Sequence, residues 1–122
     1  AGLTPIVCVG ESLNQREQGL TLSVLKEQIE KSIPKNIKNF YVAYEPIWAI
    51  GTGRVPALED ISTVHAFLKQ EMGKKIDLLY GGSVNRDNHA DILNTEHVDG
   101  LLVGGASLKI EDFNKILQYS PK

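Results

Sequence analysis

The strongest constraint on the fold is a repeated change of hydrophobic period along the chain. Short apolar runs, which are typical of buried strands, alternate four times with segments whose apolar residues recur at helical spacing. Glycine or proline stands at most of the changes. Strands that alternate with helices pair in parallel through right-handed crossovers, and strands this apolar predict a sheet covered on both faces. An open doubly wound sheet and half of a barrel both satisfy this pattern.

Four strand-helix units are predicted, and no linker divides them, so residues 1–122 are treated as one unit. The first strand is expected at Thr4–Cys8, followed by a helix with Thr21 as N-cap that ends at Pro34. The three later strands are expected at Phe40–Tyr44, Ile76–Tyr80 and Val98–Val103. The helix after the second strand begins at Glu59 and Asp60 and is capped by Gly73. The next helix is expected near Asp87–Leu93, and the last one carries Phe113, Ile116 and Leu117.

Composition excludes several classes of partner. The 13 basic and 15 acidic side chains leave a net charge of -2, which gives no reason to expect a nucleic acid or a membrane surface. No apolar run approaches the roughly 20 residues of a spanning helix. The cytoplasm is therefore the expected location, and the single cysteine, Cys8, agrees with a reducing compartment. We expect Cys8 to be a small apolar residue in a buried strand.

Three of the four predicted strands end in glycine-rich or polar residues, at the edge where parallel α/β proteins bind ligands. Glycines there let the backbone approach a ligand, and their N–H groups suit a phosphate, with Ser83 as a further hydroxyl donor. Taken singly, each glycine pair could simply form a tight turn. The glycines concerned are Gly51, Gly53, Gly81, Gly82, Gly104 and Gly105.

Glu45 ends the second predicted strand directly before Pro46, whose ring restricts Glu45 to extended backbone. A carboxylate held at that position is a candidate general base. The alternative is a solvated or salt-bridged acid at a strand end, with Arg54 or Lys69 as its partner.

The segment from Tyr44 to Gly53 resembles the catalytic strand and mobile lid of the triosephosphate isomerase family. Three further segments resemble that family's fifth, seventh and eighth strand-to-helix loops, in the same order. The resemblance covers nearly the whole chain and implies an α/β fold, the C-terminal half of a (β/α)8 TIM barrel with four parallel strand-helix units. The three further segments are Cys8–Glu11, Tyr80–Val84 and Leu102–Leu108.

The resemblance implies an isomerase of glycolysis and gluconeogenesis that interconverts dihydroxyacetone phosphate and glyceraldehyde 3-phosphate. Glu45 would be the base that moves a proton through an enediolate, without a metal or an organic cofactor. Backbone N–H groups of Gly51, Gly104 and Gly105, with Ser83, would hold the triose phosphate substrate. The lid would comprise Pro46, Ile47, Trp48, Ala49, Ile50, Gly51, Thr52 and Gly53, supported by Glu11, which resembles the partner of the lid tryptophan, and by Tyr80.

Two departures from the family pattern stand out. Pro56 occupies the place of a backbone N–H that bonds the tyrosine matching Tyr80, and proline has no N–H to donate. The family's lysine, asparagine and histidine lie on the first four strands, which this sequence does not contain, so the chain alone is expected to be inactive. A missing N-terminal half-barrel, or self-association into an oligomer, would cover its two exposed sheet edges.

Two other functions are compatible with parts of the sequence. A non-catalytic half-barrel that only binds phosphate is the alternative to an isomerase. A different phosphate-binding barrel enzyme, such as one of aromatic amino-acid biosynthesis, is disfavoured by the segment from Glu45 to Gly53.

Overall fold

The computed structural model describes residues 1–73 and 75–121, which form a four-stranded parallel sheet with helices. The strands are β1 (Ile6–Val9), β2 (Tyr41–Tyr44), β3 (Leu78–Tyr80) and β4 (Gly100–Leu101). Four strand-helix units are therefore confirmed. The helices are α1 (Leu13–Glu17), α2 (Thr21–Ser32), α3 (Leu58–Met72), α4 (His89–Leu93) and α5 (Ile110–Leu117), with short 3-10 turns at Ile47–Ala49 and Gly105–Leu108.

The order of the strands decides between the two predicted architectures. Each strand pairs in parallel with the next one along the chain, giving the order β1-β2-β3-β4. A doubly wound sheet reverses its strand order at a switch point, whereas a barrel adds each strand beside the last. The sheet is thus half of a barrel, and β1 and β4 are its two open edges.

The hydrophobic core lies between the helices and one face of the sheet. Val9, Val42, Tyr44, Leu78 and Tyr80 project from the strands into this core, and none is more than 2% exposed. Each of α2 to α5 contributes at least one buried apolar residue to the same cluster. These residues are Leu25, Ile61, Val64, Leu68, Ile92 and Ile116.

The opposite face of the sheet is only partly covered in this chain, with Ala43 as its buried member. Ile6, Cys8 and Tyr41 on that face are all exposed. The predictions of a sheet covered on both faces and of a buried Cys8 are therefore wrong for this chain. Side chains alternate along each strand, and the helices lie on one side only, so every second residue faces what would be the barrel interior.

Local residue chemistry explains two of the helix ends in the described ranges. Ser12 and Gln15 form a capping box that starts α1, a helix that the apolar period did not predict. The prediction of Thr21 as an N-cap is wrong, because Gly19, at φ 72, turns the chain from α1 directly into α2 with Leu20 as N-cap. Gly73 ends α3 at φ 96, as predicted.

No helix in the described ranges has the length and apolar content needed to cross a membrane.

Candidate active site

Glu45 follows the last residue of β2 and is fixed by the neighbouring strands. Its N–H donates to the carbonyl of Val9 at 2.8 Å, while the N–H of Gly81 donates to the carbonyl of Tyr44 at 2.8 Å. Glu45 is half-buried and forms no ion pair with any residue that the structure describes. Lys69 instead pairs with Asp99 at 2.5 Å. The salt-bridged alternative for Glu45 does not hold.

Two glycines leave room for Glu45. A Cβ atom on Gly10 would lie 1.7 Å from the carbonyl oxygen of Glu45, and one on Gly81 would lie 2.6 Å from its Cγ. The side chain of Gln28 holds Gly10 in place, accepting from its N–H at 2.9 Å and donating to its carbonyl at 3.0 Å. β1 therefore packs on the backbone of Glu45, and β3 packs on its side chain.

A cavity of about 400 Å³ opens beside Glu45 at the carboxyl ends of β2, β3 and β4. The four predicted phosphate-binding residues, Gly51, Ser83, Gly104 and Gly105, all line this cavity together with Glu45. Within the described part of the chain, the backbone N–H groups of these four residues donate to no protein acceptor. Unpaired backbone N–H groups around a shared concavity suit an anion.

The hydroxyl of Ser83 is engaged by the lid. It donates to the carbonyl of Ala49 at 2.6 Å and accepts from the N–H of Gly53 at 3.1 Å. A hydroxyl has a single hydrogen to donate. In this conformation the Ser83 hydroxyl is bonded to the lid, so the backbone N–H is the donor of Ser83 that remains without a protein acceptor among the described residues.

The lid, residues 46–53, is an ordered turn. Gly51 and Gly53 adopt φ values of 65 and 75, a region that strongly favours glycine. The hydroxyl of Thr52 donates to the carbonyl of Trp48 at 3.0 Å and accepts from the N–H of Arg54 at 3.2 Å. Nothing lies within 4 Å of a Cβ atom at either glycine, so backbone conformation rather than crowding explains both.

The lid tryptophan contacts a buried carboxylate. Glu11 accepts from the Nε1–H of Trp48 at 3.3 Å, and the hydroxyl of Tyr44 lies 3.0 and 3.1 Å from its two oxygens. Burial first, and then the Glu11 charge, raise the pKa of Tyr44 far above its usual value. The Tyr44 hydroxyl therefore stays protonated and donates a hydrogen bond to Glu11. Glu11 in turn contacts the lid tryptophan, the partner that the resemblance implies.

Tyr80 does not support the lid as the resemblance implies. It is fully buried, and its hydroxyl has no hydrogen-bond partner among the described residues. A Cβ atom on Gly82 would lie 2.2 Å from that hydroxyl, so Tyr80 sits beneath the β3 loop. Pro56, which stands where the family pattern has a backbone N–H for this hydroxyl, is buried and has no N–H to donate. The lid is held through Glu11 and Ser83 instead.

Three residues at the site were not predicted. Cys8 lies against Glu45, and burial, a hydrogen bond to Glu45 and the Glu45 charge raise the pKa of its thiol to about 11. Lys109 and Asp112 line the cavity, and Lys109 is the single cation among its described lining residues. Lys109 directly follows the segment Leu102–Leu108, and that adjacency was the one available signal.

No three His, Cys, Asp or Glu side chains within the described ranges are grouped so as to hold a metal ion.

Comparison with known proteins places the chain in a family. The triosephosphate isomerase family model matches residues 1–120. The triosephosphate isomerase of Chelativorans sp. (strain BNC1) is 52% identical over 122 residues, covering 93% of this chain and 48% of that protein. That of Helicobacter acinonychis (strain Sheeba) is 50% identical over 116 residues, covering 93% of this chain and 49% of that protein.

The crystal structure of triosephosphate isomerase from Bartonella henselae superposes with a TM-score of 0.87 at 41% identity, covering 96% of this chain and 51% of that one. The chain thus spans about half the length of the relatives it matches. Because the match in sequence and in fold runs along nearly all of its own length, the chain belongs to the triosephosphate isomerase family.

Proposed function

We propose that this chain supplies the general base and the phosphate-binding loops of a triosephosphate isomerase. One observation carries the proposal: within the described residues, the Glu45 carboxylate has no ion-pair partner, four backbone N–H groups have no protein acceptor, and all of them line the same cavity. A carboxylate can accept the proton, and N–H groups can hold the phosphate of a small phosphorylated substrate.

The proposed reaction moves one proton between two adjacent carbons. Glu45 takes the proton from the carbon next to the carbonyl of dihydroxyacetone phosphate, and the C–H electron pair moves toward the carbonyl oxygen to form an enediolate. The hydroxyl proton on the first carbon's oxygen then passes to the oxygen of the neighbouring carbon, and the protonated Glu45 returns its proton to that neighbouring carbon. This yields glyceraldehyde 3-phosphate and restores the Glu45 carboxylate. Binding of the remote phosphate and closure of the lid stabilise this step and exclude water from the intermediate. Both substrates belong to glycolysis and gluconeogenesis, for which we expect a cytoplasmic location.

We propose further that turnover requires a second half-barrel. The two sheet edges, β1 and β4, are open, and Ile6 and Tyr41 expose 43% and 39% of their surface on the partly covered face. A completed barrel would pair the edges and bury these side chains. The other half would also supply a donor for the developing oxyanion, and the loss of such a donor commonly costs about a hundredfold to a thousandfold in rate.

Reconstitution tests the proposal. The chain is mixed with a separately produced N-terminal half of the Helicobacter acinonychis relative, and isomerisation is followed in a coupled assay. We expect turnover by the complex and its loss by a factor of about a hundred or more in Glu45→Gln, since a general base contributes about that much. Glu59→Gln, an exposed change in the first turn of α3, is the matched control. A well-formed complex without turnover, or an active Glu45→Gln complex, would refute the isomerase proposal.

A second candidate function is phosphate binding without chemistry. All four predicted phosphate-binding residues belong to this chain, so phosphate binding through them would not need the other half. Calorimetry of the chain alone with inorganic phosphate tests this function. Heat of binding at millimolar phosphate supports it, and the absence of heat counts against it.

A further inference from the structure

Two guanidinium groups lie over the indole ring of Trp48. The Cζ atom of Arg16 is 4.8 Å from the ring centroid, and that of Arg54 is 5.3 Å away. Both distances lie within the roughly 6 Å over which a cation is attracted by an aromatic face. Trp48 belongs to the lid, so these contacts bear on where the lid rests.

The two arginines differ in what holds them. Arg16 belongs to α1, and its Nη2 atom lies 2.5 Å from Oδ2 of Asp60 at the start of α3. Its Nη1 atom lies 3.9 Å from Oε1 of Glu11, the same oxygen that accepts from the Trp48 indole. The side chain of Arg16 is only 28% exposed, so these contacts are partly shielded from solvent.

Arg54 directly follows the lid and is exposed. It forms no ion pair with any residue in the described ranges. Arg54 therefore has no ion pair among these residues through which it could fix the indole to the rest of the fold.

We infer that Arg16 is a positioning residue for the lid, joining the indole of Trp48 to α3 through Asp60 and to the buried carboxylate of Glu11. One planar guanidinium contacts both carboxylates while its Cζ atom lies over the ring, a combination that a lysine ammonium cannot reproduce. The catalytic consequence rests on the proposed function, because lid position matters to turnover only if the cavity binds the substrate.

The fluorescence of Trp48 provides the test. Trp48 is the single tryptophan of the chain, so quenching by acrylamide reports the exposure of this one indole. We expect Arg16→Met to raise the quenching constant about twofold or more, because the loss of the cation over the ring and of both ion pairs frees the indole. Asp60→Asn keeps the shape of the side chain and removes the outer partner, and a smaller rise is expected.

Arg86→Met is the matched control. Arg86 makes the same kind of partly exposed ion pair, with Asp112 at 3.6 Å, but lies away from Trp48. If Arg16 only links α1 to α3, Arg16→Met would lower the stability toward urea but would leave the quenching constant of Trp48 unchanged. Quenching constants for Arg16→Met and Asp60→Asn that match that of Arg86→Met would overturn the inference. If Arg16→Met fails to fold by circular dichroism, Asp60→Asn decides alone.

This measurement needs neither a substrate nor a second half-barrel. Failure of the inference would leave the isomerase proposal standing, and failure of reconstitution would leave the quenching result intact.

Discussion

A Cβ atom at Gly10 would lie 1.7 Å from the carbonyl oxygen of Glu45, so the end of β1 packs directly on the backbone that carries the candidate base. The contact joins two backbones, and no rotation of a side chain can relieve it. The Gln28 side chain, bonded to both the N–H and the carbonyl of Gly10, holds β1 in this position.

Gly10→Ala is therefore expected to destabilise the chain by about 1–3 kcal/mol, the usual cost of overpacking, and to shift the peptide of Glu45. Urea unfolding measures the loss. Gly105→Ala is the control, because nothing lies within 4 Å of its Cβ position and its φ is not positive, and it should stay within about 0.5 kcal/mol of the parent chain. Equal stabilities for the two variants would contradict the close packing.

Tyr44 and Tyr80 are both buried, but only Tyr44 has a hydrogen-bond partner among the described residues. We expect Tyr44→Phe to cost about 1.5–3 kcal/mol, since it removes a hydrogen bond to the buried carboxylate of Glu11. Tyr80→Phe should be nearly neutral or stabilising, because it removes a buried polar atom without a protein partner. Urea unfolding of the two variants under the same conditions compares them, and a larger cost for Tyr80→Phe would speak against the assignment.

We expect the chain to lose stability in mild acid because of the buried His65. Burial lowers the pKa of His65 from 6.5 to about 4, although a hydrogen bond to the carbonyl of His97 acts in the opposite direction. Between these values the unfolded chain binds a proton that the folded chain does not, so the free energy of unfolding falls as the pH drops from 6.5 toward 4. The full difference is worth about 3 kcal/mol.

Replacement by an amide should remove this dependence. His65→Asn keeps an N–H near the position of Nδ1 but cannot titrate, so its free energy of unfolding should change less between pH 6.5 and 4 than that of the parent. His97→Asn is the control, because His97 is exposed and its φ of 69 suits asparagine. An unchanged pH dependence in His65→Asn would show that other groups cause it.

Cys8 should alkylate slowly although it is exposed. Its thiol has a pKa of about 11, so little thiolate, the reactive form, is present at pH 8. Glu45→Gln removes the neighbouring charge and should speed the reaction with iodoacetamide, whereas Glu59→Gln should not. The rate is followed by mass spectrometry. The same rate in Glu45→Gln and in the parent would mean that the Glu45 charge does not act on the thiol.

Much of the architecture could be predicted from local pattern, because short segments of sequence contain the strand and helix periods and the glycine positions. Four strand-helix units and the cap at Gly73 were predicted correctly. The wrong predictions concern features that depend on contacts between distant parts of the chain. Cys8 is exposed because helices cover only one face of the sheet.

The candidate site divides in the same way. Residue identity and order singled out Glu45 and the glycines that line its cavity, and the resemblance of the segment from Tyr44 to Gly53 to a known family added the lid around Trp48. Three contacts were decided only by the tertiary structure. The Ser83 hydroxyl bonds to the lid, and the Tyr80 hydroxyl lies against Gly82. Arg16 pairs with Asp60, which is 44 residues further along the chain. These contacts depend on strand register and on which helices pack together, and such distances between remote residues are set only when the whole chain has folded.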